Sequence, residues 1–433
     1  MAIWFWILAA WGLSFAALGG KKIRPEHLIW VLLPVDMYGI QIAGVTVKPY
    51  MFLCGFLLIR TILAKKTDLS LKSRWSMFSG TIILLLIVVN MFNNSMFQSV
   101  LSTCMLLVVW ICTLIYLNDC DHHSADDIPE AILAAGIGYG AVFAVGYLLT
   151  LVGVNLPGLF AQTRAEPGIF MQFNNMYEGE LLTAFRLRGF TIDPNTMVTT
   201  FLFSMVISLL RIATGKIGVR EVLGLILSVL CIVLSNSRMG LLCCGITATA
   251  CIIVGYKMAG HRARFFLTAT LLGITGFLII ISSTDVFADA VAAFLSSYKN
   301  RSGLNDDYGR FTIWREAVSV LGKHGFFFGI GFGQMQNYTA TARACHNTWL
   351  EFLCSGGILL GSVIIFHFAC MSVSGLRYAV SARSARSKEF IWTMVLGVIG
   401  VIISLLAVDN VTSSYLWFGM SVIAGITNGC WKE

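Results

Sequence analysis

Apolar stretches of about 17–25 residues recur along the whole chain, and each is long enough to cross a bilayer as a helix. Hydrophobic residues make up 57% of the 433 residues and charged residues only 12%, whereas a soluble domain carries about 25% charged residues. The pattern predicts an all-α polytopic membrane protein, with about 12–13 transmembrane helices in a single integral membrane domain. The predicted spans are roughly 2–19, 27–45, 48–64, 75–92, 98–117, 131–153, 194–213, 220–235, 239–256, 265–283, 349–372, 390–408 and 414–430.

The span at 27–45 differs from the others because it contains Pro34 and Asp36. Proline interrupts a helix, and a carboxylate is costly inside a bilayer. This segment is therefore a candidate for a broken or re-entrant helix, and its loss would leave twelve spans.

Basic residues divide the loops into two sets when the spans alternate across the membrane. One set holds most of them: Lys21, Lys22, Arg24, Lys65, Lys66, Lys72, Arg74, Lys216, Arg220, Lys257, Arg262, Arg264, Arg377, Arg383, Arg386 and Lys388. The short loops of the other set contain little beyond Lys48 and Arg238. Since basic residues gather in cytoplasmic loops, we predict that the amino terminus is outside and the carboxyl terminus inside. The same rule accounts for most of the net charge of +8.

Two long loops fall on the outer side, at about 154–193 and about 284–348. The second loop contains "RFTIWREAVSVLGKHG", in which Phe311, Trp314, Val318 and Leu321 recur at helical spacing. We interpret this stretch as an amphipathic helix that lies on the outer surface of the membrane.

Polar residues that are distant in the sequence also fall at this outer face. They are Arg186 and Arg188 in "FRLRGFTIDPN", Arg238 in "LSNSRMG", Arg310 in "DDYGRFTIW", and His346 and Asn347 in "ARACHNTWL". Taken singly, Arg188 could be a snorkelling anchor, Arg310 could pair with Asp306 or Asp307, and His346 could be a packing residue. Arg238 is harder to explain structurally, because a charge between two closely joined spans needs a counter-ion or an aqueous cavity.

Several arginines and one histidine at a membrane rim suit a lipid-linked diphosphate. Guanidinium groups bind phosphate through paired, charge-assisted hydrogen bonds and can neutralise the charge that develops as a diphosphate leaves. A histidine can take the proton of an attacking hydroxyl near neutral pH. Together these groups could transfer a sugar from a polyprenyl diphosphate to an acceptor hydroxyl.

Other motifs in the chain carry weaker signals. "GIGFGQ" contains GxGxG without a strand-to-helix context, so we interpret it as close backbone packing and not as a nucleotide site. His122 and His123 could bind a metal, although a solvated loop is the simpler interpretation. The twelve cysteines show no metal or disulfide spacing, and no cofactor is predicted. Asp193, followed by Pro194, is expected to cap the next helix.

The stretches "RLRGFTIDPN", "SNSRMG", "YGRFTIWREA" with "GIGFG", and "HNTWLEFLCSGGILLG" occur in the order seen in the O-antigen ligase and O-antigen polymerase superfamily. The chain resembles this family over roughly 180–361. The resemblance implies a GT-C type membrane glycosyltransferase that is inverting and metal-independent. It also implies a multi-pass protein of the bacterial inner membrane, with an active site that faces the periplasm.

The resemblance further implies roles for single residues. Arg188 and Arg238 resemble the diphosphate-binding arginines of the family, and Arg310 resembles a third phosphate- or glycan-binding position. His346 matches the proposed general base, and Asn347 would orient either that base or the acceptor. Three neighbours are carried over as secondary candidates: Arg186, Arg343 and Glu351.

The expected donor is an undecaprenyl-diphosphate-linked oligosaccharide, and membrane lipid surrounds the site. We favour a polymerase, whose acceptor is another lipid-linked glycan, because polymerases are more widespread than ligases. The alternative is an O-antigen ligase, whose acceptor is lipid A-core, and the "HN" pair resembles ligases. A chain-length regulator is a conceivable partner of a polymerase, and no nucleic acid is expected. An alternative of another class is a transporter or flippase for a lipid-linked or anionic solute, which would show charges near mid-membrane, broken helices and two related halves.

Overall fold

The computed structural model describes residues 2–42, 45–64, 74–93, 96–119, 127–163, 166–177, 180–261, 263–264, 268, 310–339 and 344–428. The helices are α1 Ala2–Ala17, α2 Ile29–Leu32, α3 Pro49–Leu63, α4 Arg74–Asn90, α5 Met96–Asp119, α6 Asp127–Leu151, α7 Pro194–Ala213, α8 Val219–Leu234, α9 Arg238–Met258, α10 Arg310–His324, α11 Thr348–Ser381, α12 Ala385–Ser404 and α13 Ser414–Thr427. The strands are β1 Ile40–Ile42, β2 Val45–Val47, β3 Phe160–Ala161, β4 Phe170–Tyr177 and β5 Glu180–Leu187. The fold is an all-α polytopic membrane domain with small sheets.

Most of the predicted spans are confirmed as helices. Within the described part of the chain, six helical segments are long and apolar enough to cross a membrane: α5, α6, α7, α9, α11 and Ser387–Ala407. The apolar helices α1, α3, α4 and α13 are shorter, with 14–17 residues. The predicted span at 265–283 lies outside the described residues except for 268.

The prediction of a continuous helical span at 27–45 is wrong, and the broken alternative is right. The segment contains one 3-10 turn, Pro25–Leu28, and the single helical turn α2. The chain then extends, and the backbone N–H groups of Asp36 and Met37 both donate to the carbonyl of Phe190. Pro34 cannot donate a backbone hydrogen bond, which explains why the helix ends before it. The polar Asp36 is thereby held inside the bundle.

One end of the bundle, which we call the inner face, joins several loops that the basic-residue pattern assigns to the cytoplasm. Glu130 at the start of α6 receives ion pairs from Lys21 at 2.9 Å, Arg211 at 2.8 Å and Arg220 at 2.7 Å. Arg211 also pairs with Glu389 of α12 at 3.5 Å. These contacts place the loops after α1 and α7 and the start of α12 on one face, as predicted.

The opposite end, the outer face, carries an antiparallel hairpin that the sequence did not reveal. Strands β4 and β5 pair from Phe170–Leu187 to Tyr177–Glu180, and β3 adds a short parallel edge. Phe170 and Leu187 are buried in the main core. The hairpin therefore turns part of the predicted loop 154–193 into an ordered cap beside the start of α7.

The amphipathic helix predicted in the second outer loop is confirmed as α10. Its buried stripe consists of Ile313, Ala317, Val320 and Leu321, and it packs with residues of α11. The predicted stripe is only half right, because Phe311 and Val318 are exposed. The buried face is set by where α11 crosses α10, and this tertiary contact was not visible in the helical period alone.

Candidate functional site

Three segments that carry predicted site residues meet at the start of α7. Asp193 caps this helix by accepting a hydrogen bond from the Asn195 N–H at 2.8 Å, and Pro194 occupies the first turn, as predicted. Desolvation lowers the pKa of the Arg310 guanidinium, the nearby Asp193 carboxylate raises it, and the nearby Arg238 guanidinium lowers it further. The structure therefore brings Arg238 and Arg310 close enough to interact, with one carboxylate beside them.

Arg238 is the first residue of α9, directly after a tight turn. Asn236 in this turn has a positive φ of 47°, and the Ser237 hydroxyl caps α9 by accepting from the Gly240 N–H at 3.0 Å. The side chain of Arg238 is half-buried. The N-terminal end of a helix favours anions, so the backbone of α9 adds to the positive potential that Arg238 supplies.

Arg186 connects strand β5 to two other parts of this cluster. Its Nε donates to the carbonyl oxygen of Ser235 at 2.9 Å, and its Nη2 donates to Oδ1 of Asn195 at 3.3 Å. Ser235 belongs to the turn before Arg238, and Asn195 lies in the first turn of α7. Arg186 thus fixes the turn that presents Arg238 relative to the Asp193 cap.

Arg188 is fully buried, which rules out the snorkelling interpretation of this residue. Its Nε donates to the carbonyl oxygen of Gly168 at 2.9 Å, and its Nη2 donates to the carbonyl of Glu166. Burial lowers the pKa of the guanidinium, and the hydrogen-bonded side chain of Tyr38 opposes that shift. Much of the hydrogen-bonding capacity of the Arg188 guanidinium is therefore used within the protein. Arg188 holds the loop before β4 against β5.

His346 and Asn347 lead into α11. Oδ1 of Asn347 accepts from the N–H groups of Trp349 at 3.0 Å and Leu350 at 3.1 Å, so this side chain is the N-cap of the helix. His346 is half-buried and has a left-handed backbone with φ of 51°. That conformation costs an L-residue on the order of 1–2 kcal/mol, and the cap fixes it. Arg343 lies outside the described residues.

The loop between α12 and α13 holds the start of α11 in place. The Thr348 hydroxyl donates to the carbonyl of Val408 at 2.6 Å and accepts from the Asn410 N–H at 3.0 Å. Asp409 lies between these two contacts. Burial raises the pKa of its carboxyl, and the nearby Glu351 raises it further. Asp409 is not among the predicted site residues, since nothing in its sequence neighbourhood separates it from an ordinary loop aspartate.

The "GIGFG" loop docks against a break in α11. Gly357 has φ of 67° and ψ of −176° inside the helix, which frees carbonyl and N–H groups on both sides. The freed carbonyls of Cys354 and Ser355 accept from Ile330 and Gly331, while Ile358 donates to the carbonyl of Phe326. A Cβ at Gly329 would overlap the Ser355 carbonyl. The interpretation of this motif as close backbone packing is confirmed.

Glu351 connects this docked loop to the start of α11. Its Oε1 accepts from the Gly333 N–H at 3.2 Å and from the Ser355 hydroxyl at 3.0 Å. The residue is buried. Its described contacts stabilise the loop, one helical turn after Asn347.

A cavity with about 10 Å³ of space, room for one water molecule, lies between the start of α7 and the loop before α13. Its lining residues are Leu33, Asp36, Thr191, Thr196, Thr199, Thr200, Asn410, Ser413, Ser414 and Tyr415. The threonines belong to the chain just before α7 and its first two turns, below the Asp193 cap. Asn410 belongs to the loop that binds Thr348, two residues after His346. One cavity is therefore flanked by elements from both halves of the predicted site.

Residues 223–366 match the model of the family described as O-antigen ligase (Wzy_C). No significant match was found among curated proteins. The matched segment contains Arg238, Arg310, His346 and the docked "GIGFG" loop, whereas Arg186, Arg188 and Asp193 lie before it. This match supports placing the chain in the O-antigen ligase and polymerase superfamily.

Proposed function

We propose that the protein transfers a glycan from an undecaprenyl-diphosphate lipid to a sugar hydroxyl at the outer face of the bacterial inner membrane. The observation that carries the proposal is the convergence of Arg238 and Arg310 beside Asp193 at the start of α7, the end of the bundle that also carries the His346 segment. Cations for a diphosphate and a base for a hydroxyl thus share one face.

In this proposal Arg238 and Arg310 bind the diphosphate, and both can stabilise the negative charge that grows as the glycosidic bond breaks. Arg186 holds the turn that presents Arg238. Arg188 acts by fixing the adjacent loop, because its guanidinium already donates to backbone carbonyls. The convergent arginines are therefore the proposed substrate contacts, and the buried one supports them.

His346 accepts the proton of the acceptor hydroxyl as its oxygen attacks the anomeric carbon. The new carbon–oxygen bond forms on the side opposite the diphosphate, whose own bond to that carbon breaks, so the configuration inverts. Asn347 fixes the backbone that presents His346 by capping α11. No metal ion takes part in the proposed step.

The direct test uses purified protein in nanodiscs with a lipid-linked glycan extracted from the source strain. We expect His346→Ala to lose transfer by at least about 100-fold, within the range that general bases contribute. His324→Ala is the matched control, because His324 is exposed at the far end of α10 and should retain activity. Wild-type turnover by the His346 variant would refute the proposed base.

Polymerisation is the preferred reaction, and ligation is the second candidate, since the matching family model is described as O-antigen ligase. The two differ in the acceptor. Incubation of the protein with lipid-linked repeat units alone should yield a ladder of products if it is a polymerase. A reaction that starts only when lipid A-core is added would establish ligation instead.

The transporter alternative has some support in the broken 27–45 segment and its Asp36–Lys48 ion pair, which are features that transporters share. A flipping assay in proteoliposomes separates it from the proposal. Movement of the lipid-linked glycan across the bilayer without formation of a new glycosidic bond would favour transport.

A further inference from the structure

The arginines of the proposed diphosphate site are accompanied by a negative charge. The Asp193 carboxylate lies near both Arg310 and Arg188: burial lowers the pKa of each guanidinium, and this carboxylate is among the groups that raise it again. Arg238 is also close enough to Arg310 to lower its pKa. The arginines favour a bound anion, and the carboxylate beside them opposes it.

Hydrogen bonds hold this carboxylate in place relative to the arginines. Oδ1 of Asp193 accepts from the backbone N–H of Asn195 at 2.8 Å and from the side-chain Nδ2 of the same residue at 2.6 Å. Oδ1 of Asn195 accepts from Nη2 of Arg186 at 3.3 Å, and Nε of Arg186 donates to the Ser235 carbonyl at 2.9 Å. The carboxylate is therefore connected, through two side chains, to the turn that presents Arg238.

Helix capping alone does not require a charge at position 193. The cap is the hydrogen bond from the Asn195 N–H, and asparagine or serine can accept such a bond about as well as aspartate. Three other described helices, α9, α11 and α12, have neutral capping side chains, which are Ser237, Asn347 and Ser384. The negative charge at the start of α7 is thus separable from the capping function of Asp193.

The proposed reaction changes the charge of the ligand at the arginines. In the donor, each phosphate of the diphosphate is bonded through two of its oxygens and carries a single negative charge. When the glycosidic bond breaks, its electron pair stays with the diphosphate oxygen, and the acceptor proton goes to His346. The terminal phosphate becomes a monoester, which carries about −1.5 to −2 near neutral pH. Arginines alone would therefore hold the product more tightly than the donor, and slow product release limits many enzymes.

We propose that Asp193 is a specificity-determining residue that weakens binding of the diphosphate product more than binding of the glycan donor. The inference rests on the proposed function and deepens it by assigning product release to a residue of the same site. A like charge repels a ligand in proportion to the charge of that ligand. The fixed carboxylate therefore penalises the product more than the donor, while the arginines attract both.

The test removes the charge at position 193 and keeps a capping side chain. Asp193→Asn and Asp193→Ser both do so. Glu316→Gln is the matched control, because it makes the same change from carboxylate to amide later on the helix that begins with Arg310. The measurements are the Kd of undecaprenyl diphosphate without sugar and the Kd of the lipid-linked glycan from the source strain. Both use purified protein in nanodiscs at one pH and one salt concentration.

We expect both Asp193 variants to bind undecaprenyl diphosphate at least about 3-fold more tightly than the wild type, as removal of one unit charge at a partly solvated site should give. Binding of the lipid-linked glycan should tighten by a smaller factor. Undecaprenyl diphosphate should also inhibit transfer by these variants at lower concentrations, and Glu316→Gln should match the wild type. A purely structural role predicts the opposite sign, because a disturbed start of α7 would displace Arg186 and weaken binding of both ligands.

Unchanged or weaker binding of undecaprenyl diphosphate by either Asp193 variant, with a wild type that binds it, would overturn the inference and leave Asp193 as a helix cap. Equal tightening for product and donor would also overturn it, because the carboxylate would then not distinguish them. A wild-type protein that neither binds undecaprenyl diphosphate nor transfers the glycan would refute the proposed function, and this inference with it.

Discussion

The break in α11 at Gly357 should be indispensable, and its replacement by alanine is the sharpest test of the fold around the site. Gly357 has a left-handed backbone, and a Cβ there would overlap the carbonyl of Phe327. The overlapping atoms belong to the backbone, so no side-chain rotation relieves the clash. Gly357→Ala must therefore either displace the docked loop or straighten the helix.

The magnitude follows from the contacts that displacement would break. Four backbone hydrogen bonds join the loop to the break: Ile330 to Cys354 at 2.8 Å, Gly331 to Ser355 at 3.2 Å, Ile358 to Phe326 at 2.8 Å and Leu359 to Phe327 at 3.4 Å. At about 0.5–1.5 kcal/mol each, their loss costs about 2–6 kcal/mol. If the break persists instead, the left-handed alanine costs on the order of 1–2 kcal/mol before any clash. Either free-energy cost is a large share of the net free energy of unfolding of a typical protein.

The assay is thermal unfolding of the purified protein in detergent, followed by limited proteolysis of the loop at 326–333. Gly245→Ala is the matched control, because Gly245 lies inside α9 and nothing lies within 4 Å of the position where its Cβ would be. We expect a lower unfolding temperature and faster cleavage for Gly357→Ala, and an unfolding temperature for Gly245→Ala at or above that of the wild type. Equal stability and equal cleavage in the two variants would refute the argument that the loop depends on the break.

Asp36→Asn removes one partner of the buried ion pair and should lower the free energy of unfolding, measured by chemical denaturation, by about 3–5 kcal/mol. Adding Lys48→Met to this variant should restore most of the lost free energy. No recovery would contradict the pairing. Arg310→Ala should weaken binding of undecaprenyl diphosphate at least about 10-fold, while Arg315→Ala, an exposed arginine on the same helix, should not; equal binding by both would remove Arg310 from the site. Because burial and Glu351 raise the pKa of Asp409, its contribution to stability is full below the ordinary carboxyl pKa of 3.8 and is lost as pH rises through the raised value. Asp409→Asn should therefore stabilise the protein at neutral pH but not at pH about 4, and a uniform effect across melting curves at both pH values would argue against the shift. Transfer activity should persist in excess chelator, and strict dependence on an added divalent ion would contradict the metal-free scheme.

The transmembrane architecture was predictable because hydrophobic length and loop charge report directly on the bilayer. The pairing of Glu130 with Lys21, Arg211 and Arg220 shows that loops assigned by charge to one face do meet there. The cap at Asp193 was also predictable, since the signal lies in two adjacent residues. These features depend on short stretches of sequence and on the membrane, and therefore need no knowledge of the tertiary packing.

Features that depend on distant contacts were not predictable in the same way. Buried Arg188 donates to carbonyl groups about twenty residues earlier in the chain, and no local sequence pattern predicts these contacts. The break at Gly357 lies within an apolar stretch that also fits a straight helix. Part of the polar lining of the cavity is visible in the sequence, because three threonines lie in the first two turns of an apolar helix, in "PNTMVTT".

The proposed reaction is the direct displacement of a diphosphate by a sugar hydroxyl at one outer-face site. The most direct measurement is the anomeric configuration of the newly formed linkage, determined by NMR on product made by the purified protein from lipid-linked glycan of known configuration. Direct displacement should give a new linkage with the configuration opposite to that of the donor. Retention of configuration, or the absence of any new glycosidic bond with either acceptor, would contradict it.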